Sequence, residues 1–372
     1  MDVVIYESSS TGGCYNYSKH LFSHYQKSDK FGKTSLIIPK GCDSEVGHKI
    51  LLKDFAGKKK YFPRLYFILR NLLNPLILFF YLLGKRKSLV ILNDFEQYSF
   101  FLWVPVFYLL KWKHKIALFL HDPDRDEYMP TIFLSKISMG WITGLSDFLL
   151  YHEYLPEKSY YSDSRKFLSV PHGIYELKGN SKSMEEELRK SSQHRKMITV
   201  IGNIRSSKNY EMAIQSLKEL EELNLLIAGS RANSSVDVEA LKQLAADLGV
   251  ADRVIWIERY LRDDELASII SFSEIILMIY TRSFVSHSGV INMIAPFQPK
   301  IVIAEHPSGL NSLVRRFGLG KIVKEDDVTD LTTAILELMN EDANTNGWNQ
   351  YIDYSSWENQ INIVAERVLK KD

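Results

Sequence analysis

The sequence predicts an α/β protein of two doubly wound, parallel-sheet domains facing across a cleft. Three observations carry that expectation. Apolar, β-branched runs recur along the whole chain with spacers long enough for a helix. The runs are near-continuous rather than alternating, as strands covered on both faces must be. The chain, at 372 residues, exceeds what one ordinary core accommodates.

The first series of strands is expected at Val3–Tyr6, Ser35–Pro39, Leu89–Asn93, Ile116–Leu120, Phe148–Tyr151 and Phe167–Pro171. A polar, charged stretch at 176–196 then reads as a linker. The second series is expected at Met197–Gly202, Leu225–Gly229, Arg253–Ile257, Ile275–Tyr280, Ile301–Ala304 and Lys321–Val323. The domains therefore run 1–175 and 197–352. A last helix, 353–372, begins with a Ser cap and a nearby Glu.

Charge and cysteine content narrow the class. A net charge of +1 argues against a nucleic-acid binder. Cys14 and Cys42 are the only cysteines, so neither a disulfide framework nor a zinc signature is present, and a reducing compartment fits. The first strand starts at Asp2 and leaves no room for a cleavable leader, so a cytoplasmic location is expected.

Between Lys58 and Asn93 there is no acidic residue, while Lys58, Lys59, Lys60, Arg64, Arg70, Lys85, Arg86 and Lys87 are basic. The apolar run between them contains Asn74 and Pro75 and is shorter than the roughly 20 residues a spanning helix needs. A second apolar segment from Phe100 ends in its own basic tail, Lys111 to Lys115. Both suit the inner, anionic surface of a cell membrane, on which the protein would sit peripherally. An ordinary buried helix is the alternative.

Gly12-Gly13 lies between the first strand and a helix, where backbone N–H groups can meet an anion. No acid follows at the end of the next strand to bind a ribose hydroxyl, so a nicotinamide dinucleotide is disfavoured. A tight turn is the other reading. In the second half, "VIGNIRSSKNYEMAI" places Gly202, Arg205 and Lys208 after a strand and before a helix, a composition suited to a diphosphate. "TRSFVSHSGVINMIA" offers Ser286, Ser288 and Gly289, either to a phosphate or as a helix cap. His121 ends a buried strand and could bind a sugar hydroxyl or take its proton. His172, near the domain hinge, reads as structural. Asp122, Asp124, Asp126 and Glu127 crowd one loop too tightly for a metal cluster, and no bound metal is expected.

These pieces in this order resemble the GT-B glycosyltransferases, especially the retaining family 4 (glycosyl transferases group 1) type. The resemblance rests on the Gly-Gly loop, "LFLHD", "SVPHGIYE", "VIGNIRSSKNYEMAI", "LLIAGS" and the closing "SSWENQINIVAERVL". It implies two Rossmann-like domains, with a nucleotide diphosphate sugar as substrate on the second and a saccharide or lipid-linked acceptor on the first. No further cofactor is implied. Gly13 would approach the donor phosphate, His121 would touch the transferred sugar, and Lys208 falls on the usual diphosphate lysine. The last helix would return to the first domain.

The sequence departs from the family at two places. Asn203 stands where an arginine is usual, with Arg205 two residues on. The family's paired glutamates fall on Phe284 and Asn292, or in a shifted register on Ser288 and Pro296. Asn292 could still hydrogen-bond a ribose hydroxyl. The expected activity is transfer of a sugar in cell-envelope, capsule or exopolysaccharide synthesis. Retention of configuration stays open, as do a GT-B sugar-nucleotide epimerase, a non-catalytic partner of another transferase, and a two-domain binding protein.

Overall fold

The computed structural model describes residues 1–42, 46–54, 63–231 and 236–370. The chain divides into two units, Met1–His172 with Trp357–Asp372, and Gly173–Ser356. Each is built on its own parallel sheet.

The first unit runs β1 (Asp2–Tyr6), α1 (Gly12–Lys27), β2 (Thr34–Pro39), β3 (His48–Leu51), α2 (Pro63–Leu83), β4 (Ser88–Leu92), α3 (Phe100–Tyr108), β5 (Lys115–Leu120), α4 (Ile132–Leu145), β6 (Phe148–Tyr151) and β7 (Phe167–Ser169). The second runs α5 (Lys182–Ser192), β8 (Lys196–Ile201), α6 (Tyr210–Ser216), β9 (Leu223–Ala228), α7 (Val238–Asp247), β10 (Val254–Ile257), α8 (Asp263–Phe272), β11 (Ile275–Met278), α9 (Gly289–Ile294), β12 (Lys300–Ala304), α10 (Gly309–Phe317), β13 (Lys321–Val323), α11 (Val328–Met339) and α12 (Thr345–Tyr354). Helix α13 (Trp357–Leu369) belongs to the first unit.

Strand order in the first sheet is β3-β2-β1-β4-β5-β6-β7, with every pair parallel. Helices α2, α3 and α4 pack side by side, while α1 packs on α13. Right-handed crossovers require this: the chain moves one way from β1 to β2 and the other way from β3 onward, so the helices fall on opposite faces. The direction changes between β1 and β4. The second sheet, β10-β9-β8-β11-β12-β13, repeats the plan with its change between β8 and β11. Ligands in such sheets meet the carboxyl ends of the strands at these switch points.

Both faces of each sheet are apolar, for the reason the continuous runs suggest. In β8, Ile198 and Val200 join one core and Met197 and Ile201 the other, since successive side chains point to opposite faces.

Two expectations need correction, and one strand is additional. Residues 176–196 hold helix α5, whose Met184 and Leu188 are buried in the second unit. Two apolar residues four apart suffice for one narrow stripe, which a mostly charged segment hides. Residues 173–175 and 353–356 also fall in the second unit. Strand β3 was not foreseen; its polar, partly exposed "HKIL" sits at the sheet edge, where no second covering layer demands apolar side chains. Of the expected basic patch, Lys58, Lys59 and Lys60 lie outside the described residues.

Helix α2 is long and apolar enough to cross a bilayer, yet it is a layer of the α/β unit. Leu78 and Leu82 are fully buried in the core. Pro75 lies inside it and withholds the N–H that would reach the carbonyl of Asn71. The Ser99 hydroxyl donates to that carbonyl at 2.5 Å, so the break is satisfied from the segment that leads into α3.

Candidate functional site

In the first unit, the ends of β1, β4 and β5 present Glu7, Asn93 and His121. Neighbouring strands bring together residues far apart in sequence. Asn93 is buried, and its amide nitrogen donates to Glu7 Oε2 at 2.6 Å and to the Cys14 carbonyl at 3.1 Å. Its amide oxygen lies 2.9 Å from His121 Nε2. Cys14 is in the first turn of α1, just after Gly12-Gly13, so the glycine loop and His121 are tied through one side chain. Gly12 has φ +89°, a backbone conformation that favours glycine, and a Cβ at either glycine would meet open space.

The His121 ring is half-buried, stacked on Phe119 with centroids 4.6 Å apart, and edge-on to Tyr17 at 4.6 Å. Burial first, then the neighbouring His152, His172 and Arg125, holds its pKa well below the ordinary value. The imidazole is therefore neutral at pH 7. Behind it, burial and then the charge of Asp94 push Glu7 up to about 8. Glu96, which accepts from the Tyr6 hydroxyl, is also pushed up to about 8, chiefly by burial. His172 is buried against Tyr17 and His152, with ring centroids 4.8 Å away from each. Of the loop acids, Asp124 and Asp126 pair with Lys158 at 2.8 and 2.6 Å.

In the second unit, the loops after β8 and β11 meet where the sheet reverses. The Thr281 N–H donates to the Ser207 carbonyl at 2.9 Å and joins them. Gly202 has φ +92°, and a Cβ there would stand 3.2 Å from Lys208 Nζ and 3.4 Å from Val290 Cγ2. Gly229 presses still closer, since a Cβ on it would lie 2.3 Å from the Gly202 carbonyl oxygen. Glycine at both places lets the backbone and the lysine share one small space.

Lys208 is only 3% exposed, and its ammonium donates to the Ile201 carbonyl. Among the described residues no carboxylate pairs with it. Burial, then the nearby Arg205 charge, lowers its pKa to about 7. Arg205 is exposed, with its guanidinium 5.3 Å from the centre of the Phe284 ring. A buried cation lacking a counter-charge, beside a second cation and two glycines, is poised for an anion.

The other expected residues divide. Asn203 is exposed and its side-chain oxygen accepts from the Ser230 hydroxyl at 3.1 Å. Ser286 and Gly289 are half-buried. Ser288 is buried; its hydroxyl meets Tyr280 Oη at 2.8 Å and caps α9 through the Val290 N–H at 3.3 Å, which is the capping alternative. Asn292 does not stand where a ribose could reach it. It is fully buried, donating to His287 Nε2 at 2.6 Å and accepting from Tyr351 Oη at 2.6 Å. Both ends of its amide are engaged in the core, so the amide polarity that suggested ribose serves packing. Phe284 stacks on Tyr280 with centroids 4.2 Å apart and contributes no polar group.

Sequence reading missed Glu7 and Asn93. Each follows an apolar strand, as His121 does, and the rule that selected His121 also selects them.

Two doubly wound sheets, each with polar loops at its switch point, define the GT-B class of fold. Residues 184–353 match the family described as Glycosyl transferases group 1. The chain resembles the D-inositol 3-phosphate glycosyltransferases of Mycobacterium ulcerans, 26% identical over 153 residues, and Mycobacteroides abscessus, 28% identical over 145. Those matches span 41% and 38% of this chain and 32% of each relative's length. Among solved structures, HepE of Anabaena in complex with UDP and glucose superposes with TM-score 0.75 at 11% identity, covering 99% of both chains. A glycosyltransferase of Rickettsia africae gives 0.72 at 13% identity, covering 100% of this chain and 99% of that one. The fold is GT-B, and the chain is similar to group 1 glycosyltransferases.

Proposed function

We propose that the protein is a glycosyltransferase that moves a sugar from a nucleotide diphosphate sugar to a saccharide or lipid-linked saccharide in cell-envelope, capsule or exopolysaccharide synthesis. The observation that carries this reading is Lys208, a buried ammonium with a carbonyl for company and no carboxylate among the described residues. The donor diphosphate would be its counter-charge. As the glycosidic bond breaks, negative charge grows on the departing diphosphate, and Lys208 with Arg205 neutralises it. Lys208 is held in place by burial and the Ile201 carbonyl, so little reorganisation of that cation accompanies the step. The match to the group 1 family lies over this same unit. Replacing Lys208 with Ala should abolish transfer from UDP-, GDP- or ADP-sugars while far-ultraviolet circular dichroism stays native. Full turnover in that variant would refute the cradle, and conversion of donor without any acceptor would favour an epimerase.

We place the protein on the cytoplasmic, anionic face of a membrane. Helices α2, α3 and α4 form one layer, and no Asp or Glu occurs within 63–93, 100–121 or 131–146. Trp112 is 80% exposed, Phe133 71% and Phe80 69%, and Arg86, Lys87 and Lys136 of the same stretches are exposed too. Large exposed apolar and aromatic side chains on segments that carry no acid of their own, with Asp147 beyond α4 neutralised by Lys111 at 2.9 Å, match an anionic bilayer.

A second reading has its own support. The places of the family's glutamates hold Phe284, stacked on Tyr280, and Asn292, consumed in the core, or in the shifted register Ser288, which caps α9, and Pro296. A non-catalytic partner of another transferase would bind nucleotide and turn nothing over alone. Turnover by the purified chain eliminates it.

A further inference from the structure

We infer that Glu7 and Asn93 are positioning residues that hold His121 in a single tautomer, with Nδ1 kept as a hydrogen-bond acceptor for a hydroxyl of the ligand. The inference rests on the reading of His121 as the residue that touches the transferred sugar.

The argument starts at the Cys14 carbonyl, which can only accept. It lies 3.1 Å from one end of the Asn93 amide, so that end must be the nitrogen. Reversing the amide would set two oxygens against each other in a buried site. Glu7 Oε2, at 2.6 Å, accepts from the same nitrogen. The Ser9 N–H donates to Glu7 Oε1 at 2.7 Å, which fixes the carboxyl in turn. Asn93 therefore offers His121 an oxygen, and His121 Nε2 must carry the proton it donates across 2.9 Å. A neutral imidazole protonated at Nε2 has its lone pair on Nδ1. Among the described residues none hydrogen-bonds that nitrogen, and it is not sealed from solvent.

The rings around His121 support the same state. Phe119 and Tyr17 fix its plane, while His152, His172 and Arg125 oppose a positive charge on it. A neutral acceptor suits a sugar hydroxyl, which can donate to Nδ1. The opposite tautomer would present an N–H and place two lone pairs face to face at Asn93. Three strand ends, 7, 93 and 121, thus act as one unit, with Glu7 as its deepest anchor.

The test is nuclear magnetic resonance of protein labelled with ¹⁵N-histidine, paired with a double-mutant cycle. In the unaltered protein at pH 7, His121 should show one protonated nitrogen, Nε2, and one bare nitrogen, Nδ1. In Asn93→Ala the two shifts should move toward each other as both tautomers populate. Glu7→Gln should do so less strongly, because both carboxyl oxygens can accept, from the Ser9 N–H and from Asn93, whereas an amide nitrogen in place of one of them cannot. That milder variant also keeps the test decisive if Asn93→Ala fails to fold. With the best nucleotide sugar, Asn93→Ala should lower kcat/KM about five- to tenfold, roughly the worth of one hydrogen bond. The same change in a His121→Ala background should cost clearly less, the remainder being its hold on the Cys14 carbonyl of the glycine loop. Unchanged His121 shifts in both variants, or losses that add in full, would overturn the inference. If no nucleotide sugar is turned over, the transferase reading fails, while the tautomer measurement still decides the positioning.

Discussion

Lys208 shows how a residue can be kept against the interest of stability. Folding takes its ammonium out of water and gives it one carbonyl, and the pKa falls from the ordinary 10.5 to about 7. Below pH 7 the lysine is charged in both folded and unfolded chains, so the folded state carries the whole cost of burying it. Between 7 and 10.5 the unfolded chain still binds the proton that the folded one has released, so this contribution to stability recovers as pH rises. Lys208→Met should therefore raise the unfolding free energy of the ligand-free protein at pH 6 by on the order of 4 kcal/mol. The gain should fade toward pH 10, and urea unfolding across that range measures it. Equal stability of the two proteins at pH 6 would show the lysine to be well solvated. Lys208 was legible because a cation follows a glycine between a strand and a helix. Asn292 misled for the converse reason: sequence shows that an amide is polar, not that His287 and Tyr351 already occupy it.

At the scale of elements, the strands were legible because parallel sheets covered on both faces demand unbroken apolar runs. Edge strand β3 escapes that demand, and α5 needs only Met184 and Leu188 for its docking stripe. The site of Glu7, Asn93 and His121 was only one-third legible, since hydrogen bonding between residues 7, 93 and 121 exists once β1, β4 and β5 lie side by side. Pro75 in α2 illustrates how far a local rule reaches. Proline inside a helix forecasts a freed carbonyl four residues back, but only the fold reveals Ser99 as its donor. Ser99→Ala leaves that buried carbonyl unpaired and should destabilise the first unit by about 1–3 kcal/mol. Thermal or denaturant unfolding reads this, and a loss under about 0.3 kcal/mol would mean that water satisfies the carbonyl instead.

For the whole molecule, the acid-free layer of α2, α3 and α4 belongs to the first unit and the cation pair Arg205 and Lys208 to the second. The proposed division of labour is membrane and acceptor on one, donor on the other. The membrane part predicts co-sedimentation with vesicles containing phosphatidylglycerol but not with pure phosphatidylcholine. Replacing Phe80, Trp112 and Phe133 by Ser should reduce that binding at least about tenfold, given the apolar area withdrawn from lipid. Equal binding to both vesicle types, or none, would contradict the assigned surface.

The central claim is that Lys208 is the counter-charge of a nucleoside diphosphate, and proton-linked calorimetry addresses it most directly. UDP, GDP and ADP are titrated into the protein at pH 8 in two buffers of different ionisation enthalpy. A lysine that is mostly neutral when the site is empty must recharge beside the diphosphate, so the best-bound nucleotide should bring uptake of nearly one proton. Lys208→Met should abolish the uptake and weaken binding by about tenfold or more, the cost of a charge-assisted hydrogen bond. Binding of equal strength in both proteins, with no proton taken up by either, would contradict it.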